Sequence, residues 1–497
     1  MISKGKNSTL FTKWINDRSF YADTNLQSAS NLQVQSKKHT LKLFHEAAIR
    51  VPAYKNFLKK NKINPQLVKT ISNYQQVPQT DKDNYVQKYD VETRCWDGNL
   101  DQMHIISTSS GTTGVPIFWP RNLSSEIEGA YLHELIFNTL LNVGQKRTLL
   151  INGFAMGNWI AGTFTSAVVN LVSWKGYPLT LMSPGYSTDA VIEVLTNVAD
   201  AFEQIILTGH TQFLKDVIDE CINRGIQLNK LSLRLLGTGQ AITERWREHI
   251  IEKVGSDNIY HTFINLYGSA DAALMGFESP SSIYYRKIIT DNQQLTSEIF
   301  KSNRIPSIYN FDPRLIFFQQ ENNELVITKN YGCPLIRYNI KDEGGVISAK
   351  DLSNFFPSGN QKQLCTSKWQ LPYVYLYGRD KFMVKIYGAN VYTEHVQYAL
   401  DHKHLKDYIT GRFKLEIIDD ENNNPVLYCR VELLKGNLGA KNMVLKIKDI
   451  FVEELSKRNS EYRYVLNELG DKVKPVIVLH EHGDEEHFSR HKLIKTT

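Results

Sequence analysis

Cysteine is scarce in this chain of 497 residues: Cys95, Cys221, Cys333, Cys365 and Cys429 are the whole complement. They are odd in number, far apart and without a CxxC pair. Neither a disulfide framework nor a cysteine zinc site is expected, and a reducing cytoplasmic setting fits best. Long apolar runs are missing as well. No stretch approaches the roughly 18 residues that span a membrane. The opening MISKGKNSTLFTKW has basic residues but no apolar run of signal-peptide length, so the chain reads as soluble, with no membrane partner. Net charge is slight, 58 Lys+Arg against 52 Asp+Glu or +6, which over this length does not point to nucleic acid. Internal repeats and low-complexity linkers are absent too.

What is present is ordinary core-forming material. Hydrophobic residues at 42% with 22% charged exclude global disorder. At about one domain per 150 residues the chain holds roughly three domain-sized units. Residues 1–101 read as a polar helical lead-in, with Pro52 interrupting the helical pattern of TLKLFHEAAIRVPAYKNFLKK. From Met103 the pattern changes. Strands are expected at MHIIST, 147–151, 179–182 and 204–207, alternating with helices at 124–141, 188–202 and 211–224, which is the pattern of a layered α/β domain. Residues 282–348 read as β-rich, with a turn at Glu321-Asn322-Asn323. After Gly378 a small α+β unit is expected, running from MVKIYG to a last strand at 475–479. The fold class is thus α/β: a large N-terminal domain, 1–377, and a small α+β C-terminal domain, 382–497, with the boundary near residue 380.

The segment STSSGTTGVP is the most informative one. Its glycines free the backbone to aim N–H groups at an anion, and its hydroxyls add donors, a composition suited to a polyphosphate. It is not a Walker loop, because Val115 stands where the lysine after the second glycine belongs, and no GxGxxG fingerprint opens a helix. In HEHGDEEH, His480, His482 and His487 lack HExxH spacing. That stretch is read as a strand followed by an acidic loop, with no metal site.

The order of segments resembles the adenylate-forming superfamily of acyl-CoA synthetases, and within it the phenylacetate-CoA ligase-like branch. HEAAIRVPAYKNFLKK is similar to that branch's N-terminal helix and SSGTTGVP to its phosphate loop. LRLLGTGQAITERWREHI is similar to the adenine-side segment, LYGSAD to the Tyr-Gly-x-[Ser/Thr]-Glu motif, PLIRYNIKDEG to the ribose segment, GRDKFMVKIYGANVY to the hinge, and HKLIK to the terminal lysine motif.

The resemblance implies that Ser109, Ser110, Gly111, Thr112, Thr113 and Gly114 hold phosphate. It places Gly239, Gln240 and Ala241 with Tyr267, Gly268 and Ser269 around the nucleotide, Asp342 on the ribose hydroxyls and Arg379 on ribose or phosphate. Lys381 becomes the hinge residue, within a hinge at 378–381 on which a mobile small domain turns, Lys385 the lysine facing the thioester-forming arrangement, and Lys492, with Lys495 as the alternate, the adenylation lysine. Asp271 falls where the family has a Mg²⁺-binding glutamate. Phe154 and Trp159, in GFAMGNWIAGTF, correspond to an acyl-pocket stretch. The implied reaction uses ATP, Mg²⁺ and coenzyme A to activate a small carboxylic acid. Transfer to an amine or a carrier-protein thiol, and a nucleotide-binding pseudoenzyme, stay open beside it. Ala270, Gln240 and Val115 depart from the family pattern and support the last reading, whereas Asp342, Arg379 and Lys492 oppose it.

Overall fold

Runs of apolar residues such as LLIN and QIILT, buried along their whole length, form the centre of a mixed sheet covered on both faces by helices. The computed structural model describes residues 6–17, 19–109, 117–239, 241–356, 369–378, 383–387, 389–420, 424–437, 439 and 441–488. In chain order the strands are β1 (Met103–Ser109), β2 (Ile117–Asn122), β3 (Thr148–Asn152), β4 (Leu179–Met182), β5 (Gln204–His210), β6 (Leu233–Thr238), β7 (Phe263–Ser269), β8 (Ala273–Phe277), β9 (Ser307–Asn310), β10 (Ile316–Glu321), β11 (Glu324–Lys329), β12 (Leu335–Ile347) and β13 (Tyr373–Gly378). Beyond them lie β14 (Met383–Ile386), β15 (Ala389–Tyr392), β16 (Ile409–Asp419), β17 (Pro425–Leu433) and β18 (Val476–His480). No helix among the described residues is long and apolar enough to cross a membrane.

The large sheet has 11 strands in the order β4-β3-β5-β6-β7-β8-β9-β13-β12-β11-β10. From β4 to β7 it is parallel, with helices Ile160–Ser173, Thr188–Asn197, Thr211–Asn223 and Glu244–Lys253 in the connections. Helix Thr211–Asn223 turns Phe213, Leu214, Val217, Ile218 and Cys221 inward at helical spacing. β8 reverses direction against β7, and β10 to β12 are antiparallel. The β10–β11 hairpin closes through Asn322 and Asn323, both left-handed at φ 52 and 65, the pair of conformations that a two-residue type I′ loop needs. β1 and β2 form a separate antiparallel pair with Ser109 opposite Ile117, and residues 110–116, which join them in sequence, lie outside the described residues.

Pro52 breaks the long N-terminal helix as expected: one helix ends at Arg50 and the next begins with Pro52 at its first position. The β-rich stretch begins later than the sequence reading put it. Residues from 280 to 300 form helices Pro280–Thr290 and Gln293–Phe300, and strands resume at Ser307. The reason is periodicity: Ser282, Ile283, Tyr285, Arg286, Ile289 and Thr290 are all buried, which is one face of a helix. Among the cysteines, Cys95 and Cys333 meet as free thiols 3.2 Å apart in the core, a proximity their spacing does not announce.

Two units emerge. The larger comprises residues 1–240, 253–285 and 308–376; the smaller comprises 241–252, 286–307 and 377–497. The smaller is α+β. β14 pairs with β15, β16 and β17 pair antiparallel with β18 parallel alongside, and helices Thr393–Leu400 and Lys441–Arg458 contribute Val396, Leu400, Ile447, Phe451 and Leu455 to a core of its own. Its separate pieces are joined by charge. Glu244 is buried between Arg247 (2.8 Å) and Arg286 (2.6 Å), and Arg304 meets Glu394 at 2.7 Å. The Tyr398 ring lies between the guanidinium groups of Arg245 and Arg458, at 4.1 and 3.3 Å.

Candidate active site

In an open parallel sheet a ligand crevice forms beyond the carboxyl ends of the strands, where consecutive connections leave a strand in opposite directions. Here that point lies between β3 and β5, since the chain runs outward from β3 to β4 and then returns to β5, β6 and β7. Register sets what meets there. Asn152 pairs with Thr208, His210 with Thr238, and Thr238 with Leu266, so the residues that follow, Gly153-Phe154, Gly239 and Tyr267, emerge at neighbouring strand ends.

Phe154 is buried and packs edge-on against His210, centroids 5.6 Å apart. Tyr186 stacks on Phe213 at 4.4 Å and contacts His210 at 6.5 Å. Gly239 has φ +97, and a Cβ there would stand 2.4 Å from His210 Nδ1, so only glycine fits. Burial lowers the pKa of His210, with a hydrogen bond to the Thr238 backbone opposing the shift; the imidazole is neutral at neutral pH. His210, Tyr186 and Phe213 escaped the sequence reading. The signal for His210 was its place at the end of an apolar strand run just before a helix.

The loop end of the β1–β2 hairpin is tied to the same region. Thr108 N–H donates to Asn158 O at 2.8 Å and Thr108 bridges Trp159, placing the half-buried Trp159 beside the hairpin. Arg121, fully buried, donates to Ser107 Oγ (2.6 Å), Thr163 Oγ1 (3.2 Å) and Glu126 Oε1 (2.8 Å). A buried guanidinium thus holds Ser107 within β1.

Farther along the sheet, Tyr267 O–H donates to Asp342 Oδ2 at 2.8 Å, joining two motif residues far apart in sequence. The Tyr267 ring stacks with Tyr309 (5.6 Å) and Phe318 (6.4 Å), so it is embedded in aromatic core. Gly268 runs so close to β8 that a Cβ would sit 2.9 Å from Ala273 O, and Ser269 Oγ accepts the Ala272 amide at 3.2 Å. Asp271 is almost wholly buried. Its Oδ2 accepts from Tyr338 O–H (2.7 Å) and lies 3.2 Å from Lys82 Nζ. As placed it does not fit a Mg²⁺ ligand, because both contacts fall on Oδ2 and the ammonium already meets the charge that the cation would take up.

Lys82 comes from the lead-in, which the sequence reading left without a site residue. The reason is an extra pairing: Thr80 exchanges backbone hydrogen bonds with Arg337 and Asn339, adding an edge to β12 and delivering Lys82. The buried Lys329 donates to Ala272 O (2.6 Å) and Leu274 O (2.8 Å), pinning the turn that carries Asp271. Ala241 is exposed in the smaller unit. Ser110 to Gly114, Gln240, Arg379, Lys381, Lys492 and Lys495 lie outside the described residues, as do the side chains of Ser109 and Lys385.

No protein-family model matches the chain, and no curated protein matches its sequence. Solved structures do. The chain is similar to 2-hydroxyisobutyryl-CoA ligase in its postadenylation state with R3-HIB-AMP, at TM-score 0.67 and 12% identity over 94% of this chain and 89% of the other. It is also similar to that ligase with 2-HIB-AMP and CoA in the thioesterification state, at TM-score 0.54 and 13% identity over 95% and 90% of the two chains. The chain has the fold of the adenylate-forming ligases: a large N-terminal α/β part and a smaller C-terminal α+β part.

Proposed function

We propose that this protein activates a small carboxylic acid with ATP and passes the acyl group to the thiol of coenzyme A. In the first step a carboxylate oxygen attacks the α-phosphorus of ATP, the bond to the β-phosphate oxygen breaks, and pyrophosphate leaves. In the second the thiol attacks the acyl carbon and AMP leaves. Both steps demand alignment and charge neutralisation more than covalent participation by the protein.

The observation that supports this reading is the alignment of Phe154, His210, Gly239 and Tyr267 on successive strand ends at and beside the switch point, in a chain with this fold. The loop 109–114 is assigned the phosphates, Asp342 the ribose, Arg379 ribose or phosphate, and Lys492 the carboxylate and α-phosphate. Lys381 is assigned the hinge and Lys385 the thioester-forming step. Phe154, Tyr186, Phe213 and a neutral His210 form an aromatic wall without a formal charge, which suits an aryl or apolar acyl tail rather than a charged one.

Carboxylate-dependent ATP–pyrophosphate exchange across a panel of acids tests the reading. Exchange with aryl or apolar acids, lost in Lys492→Ala, is the expected result, and intact exchange in that variant rejects Lys492. Exchange without CoA consumption redirects the second step to an amine or carrier-protein thiol. One observation favours a second reading, nucleotide binding without catalysis: the Lys82 ammonium already occupies the charge of Asp271. ATP binding with no exchange for any acid would establish it.

A further inference from the structure

The last strand of the small sheet ends in a turn that gathers ligand atoms. β18 closes at His480, the chain reverses through Gly483 at φ +83, and helix Glu485–Phe488 begins after Asp484. Asp484 Oδ1 accepts the amides of Glu486 (3.0 Å) and His487 (3.2 Å), which fixes the carboxylate. Its Oδ2 then faces two imidazoles, with His480 Nδ1 at 2.7 Å and His487 Nδ1 at 3.2 Å. The rings are 4.2 Å apart between centroids, and one ligand atom from each of the three residues lies within 4.8 Å of the others. Glu481, Glu485 and Glu486 add negative charge around the turn.

We infer that His480, Asp484 and His487 form a site for a divalent transition-metal ion, with Zn²⁺ as its natural occupant and water completing the coordination. Two imidazoles and one carboxylate are the donors this class of cation prefers, whereas Mg²⁺ and Ca²⁺ take oxygen sets. Zinc bonds of roughly 2.0–2.1 Å in a tetrahedron require ligand atoms roughly 3.3 Å apart. The His487–Asp484 separation of 3.2 Å already meets that, and the His480–Asp484 separation of 2.7 Å has to open by about half an ångström. The sequence pattern is H-x-x-x-D-x-x-H, so a search for HExxH passes over it; His482, the middle histidine of the run, is not among the three. The metal would clamp helix Glu485–Phe488 to the end of β18, a few residues ahead of Lys492.

The test uses the full chain with any affinity tag removed, stripped with a chelator and titrated with Zn²⁺ by calorimetry. The expected result is one Zn²⁺ per chain at micromolar or tighter affinity, weakened at least about tenfold in Asp484→Asn and His487→Gln and unchanged in His482→Ala. Circular dichroism of the stripped variants confirms that they fold. Co²⁺ in place of Zn²⁺ should give the visible bands of a four-coordinate site, absent in His480→Gln. Absence of binding, equal binding by His487→Gln, or loss of binding in His482→Ala would each overturn the inference.

Discussion

Asp342 on the large sheet and Glu244 in the smaller unit are both buried carboxylates, and their partners differ. Asp342 accepts a neutral phenol, Tyr267 O–H. Glu244 lies between two guanidinium groups; burial alone would raise its pKa, yet Arg247 and Arg286 hold it below the usual carboxylate value. Asp271 stands between these cases, with a phenol and one ammonium. A carboxylate neutralised by fixed cations is a structural fastener, whereas one oriented by a hydroxyl is held in a set orientation toward a ligand. Replacing the first kind should cost stability and replacing the second should cost activity, which is measurable at each position.

The largest effect is expected at the fastener. Glu244→Ala leaves two buried guanidinium groups without their shared carboxylate, and breaking a buried pair this way costs about 3–5 kcal/mol. Chemical denaturation should show that loss, and a cost below about 1 kcal/mol would mean that water reaches the cluster.

Acid should weaken both units, most strongly through His133 in the larger and His395 in the smaller. Burial lowers His133 to about 4 and His395 to about 3 from 6.5, with Arg304 and Arg458 adding to the effect at His395. Their folded pKa values lie below the unfolded value, so the unfolded chain takes up protons first. The stability each contributes is complete above about pH 6.5 and is lost as pH falls toward 4 and 3, at most about 3 kcal/mol for His133 and about 5 kcal/mol for His395. His395→Leu should flatten the part of this loss that belongs to the smaller unit; an unchanged acid limb there would rule out His395 as its origin.

The intermediate case predicts an intermediate cost. Lys82→Met removes one of two partners of Asp271 and should destabilise by about 1 to 3 kcal/mol, toward the lower end because the lysine is partly exposed. Its effect on ATP binding sharpens the comparison: unaltered affinity would place Asp271 with Glu244 among the fasteners, and altered affinity would place it with Asp342.

Much of this frame was legible in the sequence, because strands buried on both faces are continuous apolar runs and helices in the connections repeat every three or four residues. β4 fell at the expected bounds. Residues 280–300 were not legible as helices, since their buried face includes Ser282, Arg286 and Thr290, whose polarity hides the stripe. The candidate site divides the same way. Phe154, Gly239, Tyr267, Asp271 and Asp342 were named from the sequence because they stand in motif segments. Lys82 and Arg121 were not, because Lys82 acts across a long sequence separation through one contact and Arg121 through contacts spread over three elements, neither of which a local pattern encodes.

The smallest change in stability is expected at Tyr267. In Tyr267→Phe the ring keeps its stack with Tyr309 and Phe318, and only the hydroxyl to Asp342 is lost, so the cost should be about 1 kcal/mol. That hydrogen bond fixes the carboxylate rotamer, and a ribose presenting two vicinal hydroxyls needs both acceptor oxygens in one orientation. The variant should therefore raise the KM for ATP in pyrophosphate exchange several-fold while leaving the KM for the acid unchanged. Asp342→Asn, which keeps the shape but removes the charge, should raise it further at little cost in stability. A variant whose KM for the acid moves together with that for ATP would show that the Tyr267–Asp342 pair shapes the whole crevice instead of orienting one carboxylate.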